Sequence, residues 1–305
     1  MENYASYIRH LVAQGGPRVS DYADLDQWVV DVHLAASANE LSPAEIAEIR
    51  TAFADALSSE TMQGFALTKP HGYSGDFEII DRTYQIRVSS QPHLASWDMF
   101  YHQHAAPKAV RNRKKYFHRL LDRNAARKTS FNVLEIAVGP GRSMFEWFSK
   151  NPTAAAFIDC VEIDPKAIEY SSRLNHQFLD RINFIQKNAL LFRPHRKYDF
   201  IWAAGIFDYF DDRLFVSLLQ RLLPALADGG EIVVGNFSDR NPSRPYMELV
   251  GDWVLHHRTA DRLAELARQA GVTSERIFIG TEPEQVNLFL HVSRESKAHS
   301  ARLAA

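Results

Sequence analysis

The chain has 305 residues, of which 46% are apolar and 24% charged, and its formal charge is −2. This balance suits a globular protein of one large or two modest domains, and gives no global field to attract nucleic acid or an anionic membrane. Cys160 is the only cysteine, which excludes an internal disulfide and fits a reducing compartment.

Residues 1–16 show no basic segment followed by an apolar stretch, and no apolar run reaches the roughly 18 residues that span a bilayer. A soluble, cytoplasmic protein without membrane insertion is expected. The basic run Arg111–Lys115 reads as a solvated helix face rather than a nucleic-acid patch.

The first half reads as helical. Ser42-Pro43-Ala44-Glu45 forms a capping box with proline at the first helical position. Ile46, Ile49, Phe53 and Leu57 then repeat on one face, so the spacing predicts a helix ending near Ser59. Turn formers crowd Lys69–Asp76, after which Asp76 can cap a helix from Phe77 to Arg82. A further helix is expected from about Ala106 to Leu121.

The pattern changes after Lys128. Short apolar, β-branched runs at Phe131–Val138, Phe157–Ile163, Ile182–Ile185, Tyr198–Ala203 and Glu231–Asn236 alternate with helical stretches, the signature of a parallel sheet covered on both faces. After a helix from about Ala260 to Ala270 come two more runs, Arg276–Gly280 and Val286–Val292. The turn between them is too short for a parallel crossover, so they must form an antiparallel hairpin. A mostly parallel sheet closed by such a hairpin is the Rossmann-like class I methyltransferase arrangement. We expect an N-terminal helical cap over residues 1–122, the sheet domain over 123–295 and a disordered tail over 296–305.

Four features sit at the carboxyl ends of the strands, where open α/β sheets bind ligands. The first is the turn Glu135-Ile136-Ala137-Val138-Gly139-Pro140-Gly141, whose glycines bring backbone close to a ligand and lead into a helix N-terminus. Glu135 is placed to orient an amino group. The second is Glu162, followed by Ile163, about 20 residues past the turn and suited to accept both hydroxyls of a ribose. The third is Asn188-Ala189, where the asparagine carbonyl can accept from an adenine amino group. The fourth is Ala204-Gly205-Ile206-Phe207-Asp208-Tyr209, expected to line the site of transfer. Together they predict an S-adenosyl-L-methionine site. Glycine needed for packing alone, a solvated strand end and a turn asparagine are the plain readings of the first three.

The segments Lys69–Glu78, Ala109–Arg113, Gly205–Tyr209, Gly235–Phe237, Asn241–Glu248 and Asp252–Arg258 resemble a bacterial family of class I methyltransferases, over about residues 60–294. Its members are often labelled hydroxypalmitic acid methyl ester biosynthesis proteins, and the resemblance implies carboxyl methylation of a hydroxy fatty acid. The chain departs from the family pattern at Ala137, where glycine is usual, at Asn188, where an acid is usual, and at His256-His257.

A carboxylate acceptor needs no general base, whereas a hydroxyl or protonated nitrogen does. Tyr73, Tyr209, Tyr246 and His256 are the catalytic candidates, with Asp76, Asn236 and His257 beside them and Trp97, Phe100, Tyr101 and Trp253 as apolar walls. Core packing is the plain reading of the aromatics. No metal site is expected, since His102 and His104 do not share a helical face and no cysteine is near. The reading is a methyltransferase for a small-molecule acceptor, a carboxylate or else a nitrogen or oxygen of a specialised metabolite, in a chain that allows a homodimer and binds no nucleic acid. A dinucleotide-dependent oxidoreductase and a non-catalytic S-adenosylmethionine-binding protein are the alternatives.

Overall fold

In the computed structural model residues 4–294 are described, and the tail expected at 296–305 lies outside them. The chain divides into two compact units, residues 1–111 with 242–254, and 112–241 with 255–305. The division falls inside one long helix and takes up a short segment from late in the chain.

The first unit holds α1 (Tyr4–Ala13), α2 (Tyr22–Ser37), α3 (Pro43–Ala52), α4 (Met62–Thr68), α5 (Phe77–Gln85), α6 (Pro92–Gln103) and the start of α7 (Ala105–Ala125). The capping box at Ser42 and the Asp76 cap both form, Asp76 accepting from the amides of Glu78 and Ile79. The run expected to continue to Ser59 is broken. Ala54 adopts φ +49, a left-handed conformation that an α-helix cannot carry, and Ala54–Leu57 continue as a 3-10 turn. One core joins Ile8, Leu25, Trp28, Phe53, Phe65, Trp97 and Phe100 with Tyr246, Leu249 and Val250. The expected apolar walls Trp97, Phe100 and Tyr101 are members of this core, and Trp253 packs against it.

The second unit is built on β1 (Phe131–Ile136), α8 (Arg142–Lys150), β2 (Ala156–Glu162), α9 (Pro165–Leu174), β3 (Ile182–Gln186), β4 (Tyr198–Ala203), α10 (Asp212–Leu222) and β5 (Leu226–Phe237). After α11 (Arg244–Leu249), which belongs to the first unit, follow α12 (Ala260–Gln269), β6 (Ile277–Thr281) and β7 (Asn287–Ser293). The seven strands lie in the order β3-β2-β1-β4-β5-β7-β6. The first five are parallel, and β7 enters antiparallel between β5 and β6. This is the class I methyltransferase sheet.

Alternation along the strands sends Leu134, Ile136, Ile201, Val234 and Leu290 toward α10 and α12. Val133, Cys160, Phe200, Trp202 and Phe289 point toward α7 and α8. Cys160 is buried among these apolar side chains. The basic run is not one solvated face. Lys115 is exposed, but Arg113 is 8% exposed, because position 113 lies one turn before Phe117 on the buried side of α7.

One buried cation fixes the loop beyond β4. Arg258, 4% exposed, donates to Oδ1 of Asn236 at 2.7 Å, to the carbonyl of Phe210 at 2.5 Å and to Asp212 at 2.9 Å. Its guanidinium also lies over the Phe215 ring. Asn236 in turn donates to the carbonyl of His256 at 2.9 Å. Arg258→Ala would leave several buried acceptors unpaired, so we expect a loss of about 3–5 kcal/mol in urea unfolding. A loss under about 1 kcal/mol would show that the cluster is not a structural anchor.

Candidate active site

The carboxyl ends of β1, β2 and β4 carry the residues expected to hold a cofactor. In the turn after β1 three residues take left-handed backbone: Ala137 at φ +56, Gly139 at +58 and Gly141 at +66. The two glycines serve different ends. A Cβ built on Gly139 would meet nothing within 4 Å, so that side of the turn is open. A Cβ on Gly141 would lie 1.9 Å from Oγ of Ser171, so this glycine permits α8 to pack on α9. Ala137 is a non-glycine residue in a conformation that costs about 1–2 kcal/mol.

Glu135 is buried, and its Oε2 has no hydrogen-bond partner. Burial, helped by the neighbouring charge of Glu162, pushes its carboxyl up to about 8. A buried carboxyl with an unspent oxygen suits a ligand cation.

Glu162 turns back into the loop. Its Oε2 accepts from the Gly139 amide at 3.1 Å, and its Oε1 from the amides of Ile163 and Asp164 at 2.8 and 3.1 Å. The carboxylate thereby braces the turn and keeps one lone-pair site on Oε2 for a hydroxyl donor, fewer than a two-hydroxyl grip requires. Ile163 is 59% exposed, an apolar side chain open at the strand end. Asn188 Oδ1 accepts from the Leu190 amide at 2.8 Å, closing a local turn and leaving one lone pair, while Ala189 is buried.

Past β4, Ala204 is buried and its carbonyl accepts from Nη1 of Arg113 at 2.8 Å. That guanidinium lies 3.7 Å from where a Gly205 Cβ would stand. Asp208 is buried, accepts from the Phe237 amide at 2.5 Å, and offers its carbonyl to the His256 amide at 2.7 Å. Burial raises the Asp208 carboxyl to about 6, opposed by the Phe237 amide and by Arg113 and Arg258. The Asp208 side chain is thus spent on holding β5 to the loop. Tyr209 is 37% exposed.

The catalytic candidates fall into both units. Tyr209 and His256 are in the sheet unit, where the Asp208–His256 backbone bond sets their segments side by side. His256 is exposed, whereas His257 approaches Asn241 Nδ2 at 3.2 Å. Asn236 is fully buried within the Arg258 cluster. Tyr73 and Tyr246 are in the helical unit. Tyr73 is 39% exposed in the turn before α5. Tyr246 is packed in the core, donates to Gln63 and stacks on His104, and burial drives its phenol well above the usual range. Asp76 is buried as the α5 cap.

Arg113, at the Ala204-Gly205 turn, is not among the residues expected there from the sequence. The signal was its spacing: position 113 shares a helical face with Phe117, Leu120 and Leu121, all buried. Among the described residues no group of three or more His, Cys, Asp or Glu is arranged to hold a metal, and no helix is long and apolar enough to cross a membrane.

Residues 133–230 match a family model described as Methyltransferase domain. The matched residues run from β1 through β4 into β5, the strands whose carboxyl ends carry the residues described above. A malonyl-acyl-carrier-protein O-methyltransferase 1 from Ilyobacter polytropus is 28% identical over 123 residues, 40% of this chain and 42% of that protein. The chain thus spans less than half the length of this curated relative. Among solved structures, a "possible exported protein" from Bordetella parapertussis superposes with TM-score 0.67 at 17% identity, covering 91% of this chain and 96% of that one. The S-adenosylmethionine-dependent methyltransferase SibL, in its apo form, gives TM-score 0.51 at 13% identity over 79% of this chain and 70% of its own. Identities this low speak for the fold alone.

The strand ends fit S-adenosylmethionine. The unpartnered Oε2 of Glu135 suits an ammonium, the free lone pair of Glu162 a ribose hydroxyl, and the open side of Gly139 gives room for a ligand against the turn.

Two outcomes follow. Glu135 has a folded value above the ordinary carboxyl value of 4.5, so the stability it contributes is present below 4.5 and lost as pH rises toward about 8. Glu135→Gln should therefore flatten the pH dependence of thermal unfolding and stabilise the ligand-free protein above pH 8, seen as a smaller drop in Tm between pH 5 and pH 9. An unchanged slope would contradict the burial argument. Ala137→Gly should raise stability by about 1 kcal/mol by relieving the left-handed alanine, measured by urea unfolding.

Proposed function

We propose that this chain is an S-adenosylmethionine-dependent methyltransferase that esterifies a carboxylate on a small-molecule acceptor. The observation carrying the cofactor half is the buried, unpartnered oxygen of Glu135 beside the open glycine turn. When bound, the cofactor supplies a methyl group on a sulfonium, already a good leaving group. The protein's share is then positioning and exclusion of water.

In this reading Glu135 takes the ammonium of the cofactor's amino-acid end. Glu162 accepts from one ribose hydroxyl, and Ile163, Asn188 and Ala189 flank the adenine. The exposed Ile163 offers an apolar surface to a flat heterocycle, and the spare lone pair of Asn188 remains for the adenine amino group. Ala204, Gly205 and Tyr209 border the transfer site.

A carboxylate is already a nucleophile at neutral pH, so no residue of the chain has to remove a proton from it. That fits a loop whose one buried acid, Asp208, is committed to Phe237. The name of the Ilyobacter relative supports O-methylation of an acyl group, and the sequence resemblance supports a hydroxy fatty acid. A second reading rests on His256, which is exposed next to the Asp208–Tyr209 segment. There it would serve as base for a hydroxyl or amine of a specialised metabolite, with Tyr209 beside it. Tyr73 and Tyr246 belong to the helical unit, Tyr73 partly exposed and Tyr246 buried in its core.

Incubation with methyl-labelled S-adenosylmethionine and acyl carboxylates should give a product whose label is released by mild base. A base-stable label would sink the ester reading in favour of the second. In the same assay His256→Ala should leave carboxylate methylation within about twofold, because no base is used. Glu162→Ala should weaken S-adenosylhomocysteine binding by at least about tenfold in calorimetry, through loss of the ribose contact and of the brace on Gly139. Unchanged affinity would contradict that assignment.

A further inference from the structure

Arg113 is a buried cation that the described residues do not fully satisfy. It is 8% exposed, and its hydrogen bonding among the described residues is Nη1 to the carbonyl of Ala204 at 2.8 Å. No carboxylate of the described residues comes within ion-pair distance of it. Asp208 is near enough to feel its charge, but spends its own oxygen on the Phe237 amide. Nε and Nη2 donate to no group among the described residues. Burying a guanidinium with one neutral partner is costly, and Arg is the side chain best shaped to grip a carboxylate with two parallel N–H groups.

Its place narrows the ligand. Glu135 on β1 stands opposite Trp202 on β4, and Ala204 follows two residues later on the same face. That face is covered by α7, whose Phe117 and Tyr116 stack on Trp202. Glu135 and Arg113 thus lie at the same end and on the same face of adjoining strands. One is an acid and the other a base, and they make no ion pair with each other. Each has hydrogen-bonding capacity to spare: Oε2 of Glu135, and Nε with Nη2 of Arg113. A ligand with an ammonium and a carboxylate on one carbon completes both at once.

We propose that Arg113 binds the carboxylate of the cofactor's amino-acid end, opposite Glu135. The proposal rests on the S-adenosylmethionine reading above. It adds a residue from α7 to a site otherwise built from strand ends, and gives Arg113 a role in selecting a zwitterionic ligand. A carboxylate on the acceptor is the other source of the same chemistry, and the two are separable by binding without any acceptor.

The test compares two probes by calorimetry: S-adenosylhomocysteine, and 5′-methylthioadenosine, which keeps the adenosine and thioether but lacks the amino-acid end. Arg113→Gln should weaken S-adenosylhomocysteine by at least about tenfold and change methylthioadenosine by less than about twofold, with Arg113→Lys in between. Methylthioadenosine binding also reports that the variant's pocket is intact. Full S-adenosylhomocysteine affinity in Arg113→Gln would overturn the proposal and hand the guanidinium to an acceptor carboxylate. Equal loss for both probes would overturn it too, since Arg113 would then only hold the Ala204 loop. If the wild-type protein binds neither probe, the cofactor reading itself falls, and this proposal with it.

Discussion

The loop beyond β4 has only a single 3-10 turn, Phe207–Tyr209, of its own to hold it, and its geometry depends on Arg258. That guanidinium reaches acceptors on β5, on the 207–210 turn and at the start of α10. None of these segments is adjacent to residue 258 in sequence. A flexible loop would lose far more entropy on binding a ligand than one already fixed, so anchoring Ala204–Tyr209 before any ligand arrives lowers the cost of binding. Asp208 works in the same cluster from the other side, tying the loop to the amides of Phe237 and, through its carbonyl, His256. The apparent functional acid of the loop is in this sense part of its scaffold.

At the other strand ends the structure leaves polar groups incomplete. The Glu135 carboxyl, unpaired on one oxygen, and the Arg113 guanidinium are both buried in a unit whose other buried charges have partners such as Asp212 for Arg258 and Arg196 for Asp159. Fold stability alone does not favour such groups, since an apolar side chain of similar size would serve the core better. Ala137, held in a left-handed backbone, adds a further local strain at the same turn. Strain and unsatisfied polarity in one place are the usual mark of a site shaped for a ligand rather than for packing.

Much of the sheet could be read from sequence because strands buried on two faces produce compact β-branched runs with turn formers between them. Tyr198–Ala203 falls where expected, and the other strands differ by a residue or two at an end. β5 is the exception. It starts at Leu226 rather than Glu231, because Asp228-Gly229-Gly230 looks like a turn but is carried within the strand across an irregular register with β4. The glycine turn and Glu162 were legible as a pair through spacing. What spacing could not show was how their hydrogen bonds are spent: Glu162 on the loop amides, Asn188 on Leu190, Tyr246 on Gln63. Arg113 was hidden for another reason. Flanked by Arg111, Lys114 and Lys115, it looked like surface, although its helical register with Phe117 pointed inward.

The sheet order has a consequence for how the chain is made. β7, nearly the last described segment, is the strand that pairs β5 over its second half, from Glu231–Ser293 to Phe237–Asn287. The helical unit likewise recruits Tyr246, Leu249 and Val250 into a core whose other members were synthesised some two hundred residues earlier. Neither unit can close as the chain emerges from its N-terminus. Until β7 arrives, β5 presents an unpaired apolar edge, an invitation to mispairing with other chains. Assembly therefore waits on the distal end, and removing β7 would strip β5 of its antiparallel partner and leave β6 with nothing to pair on.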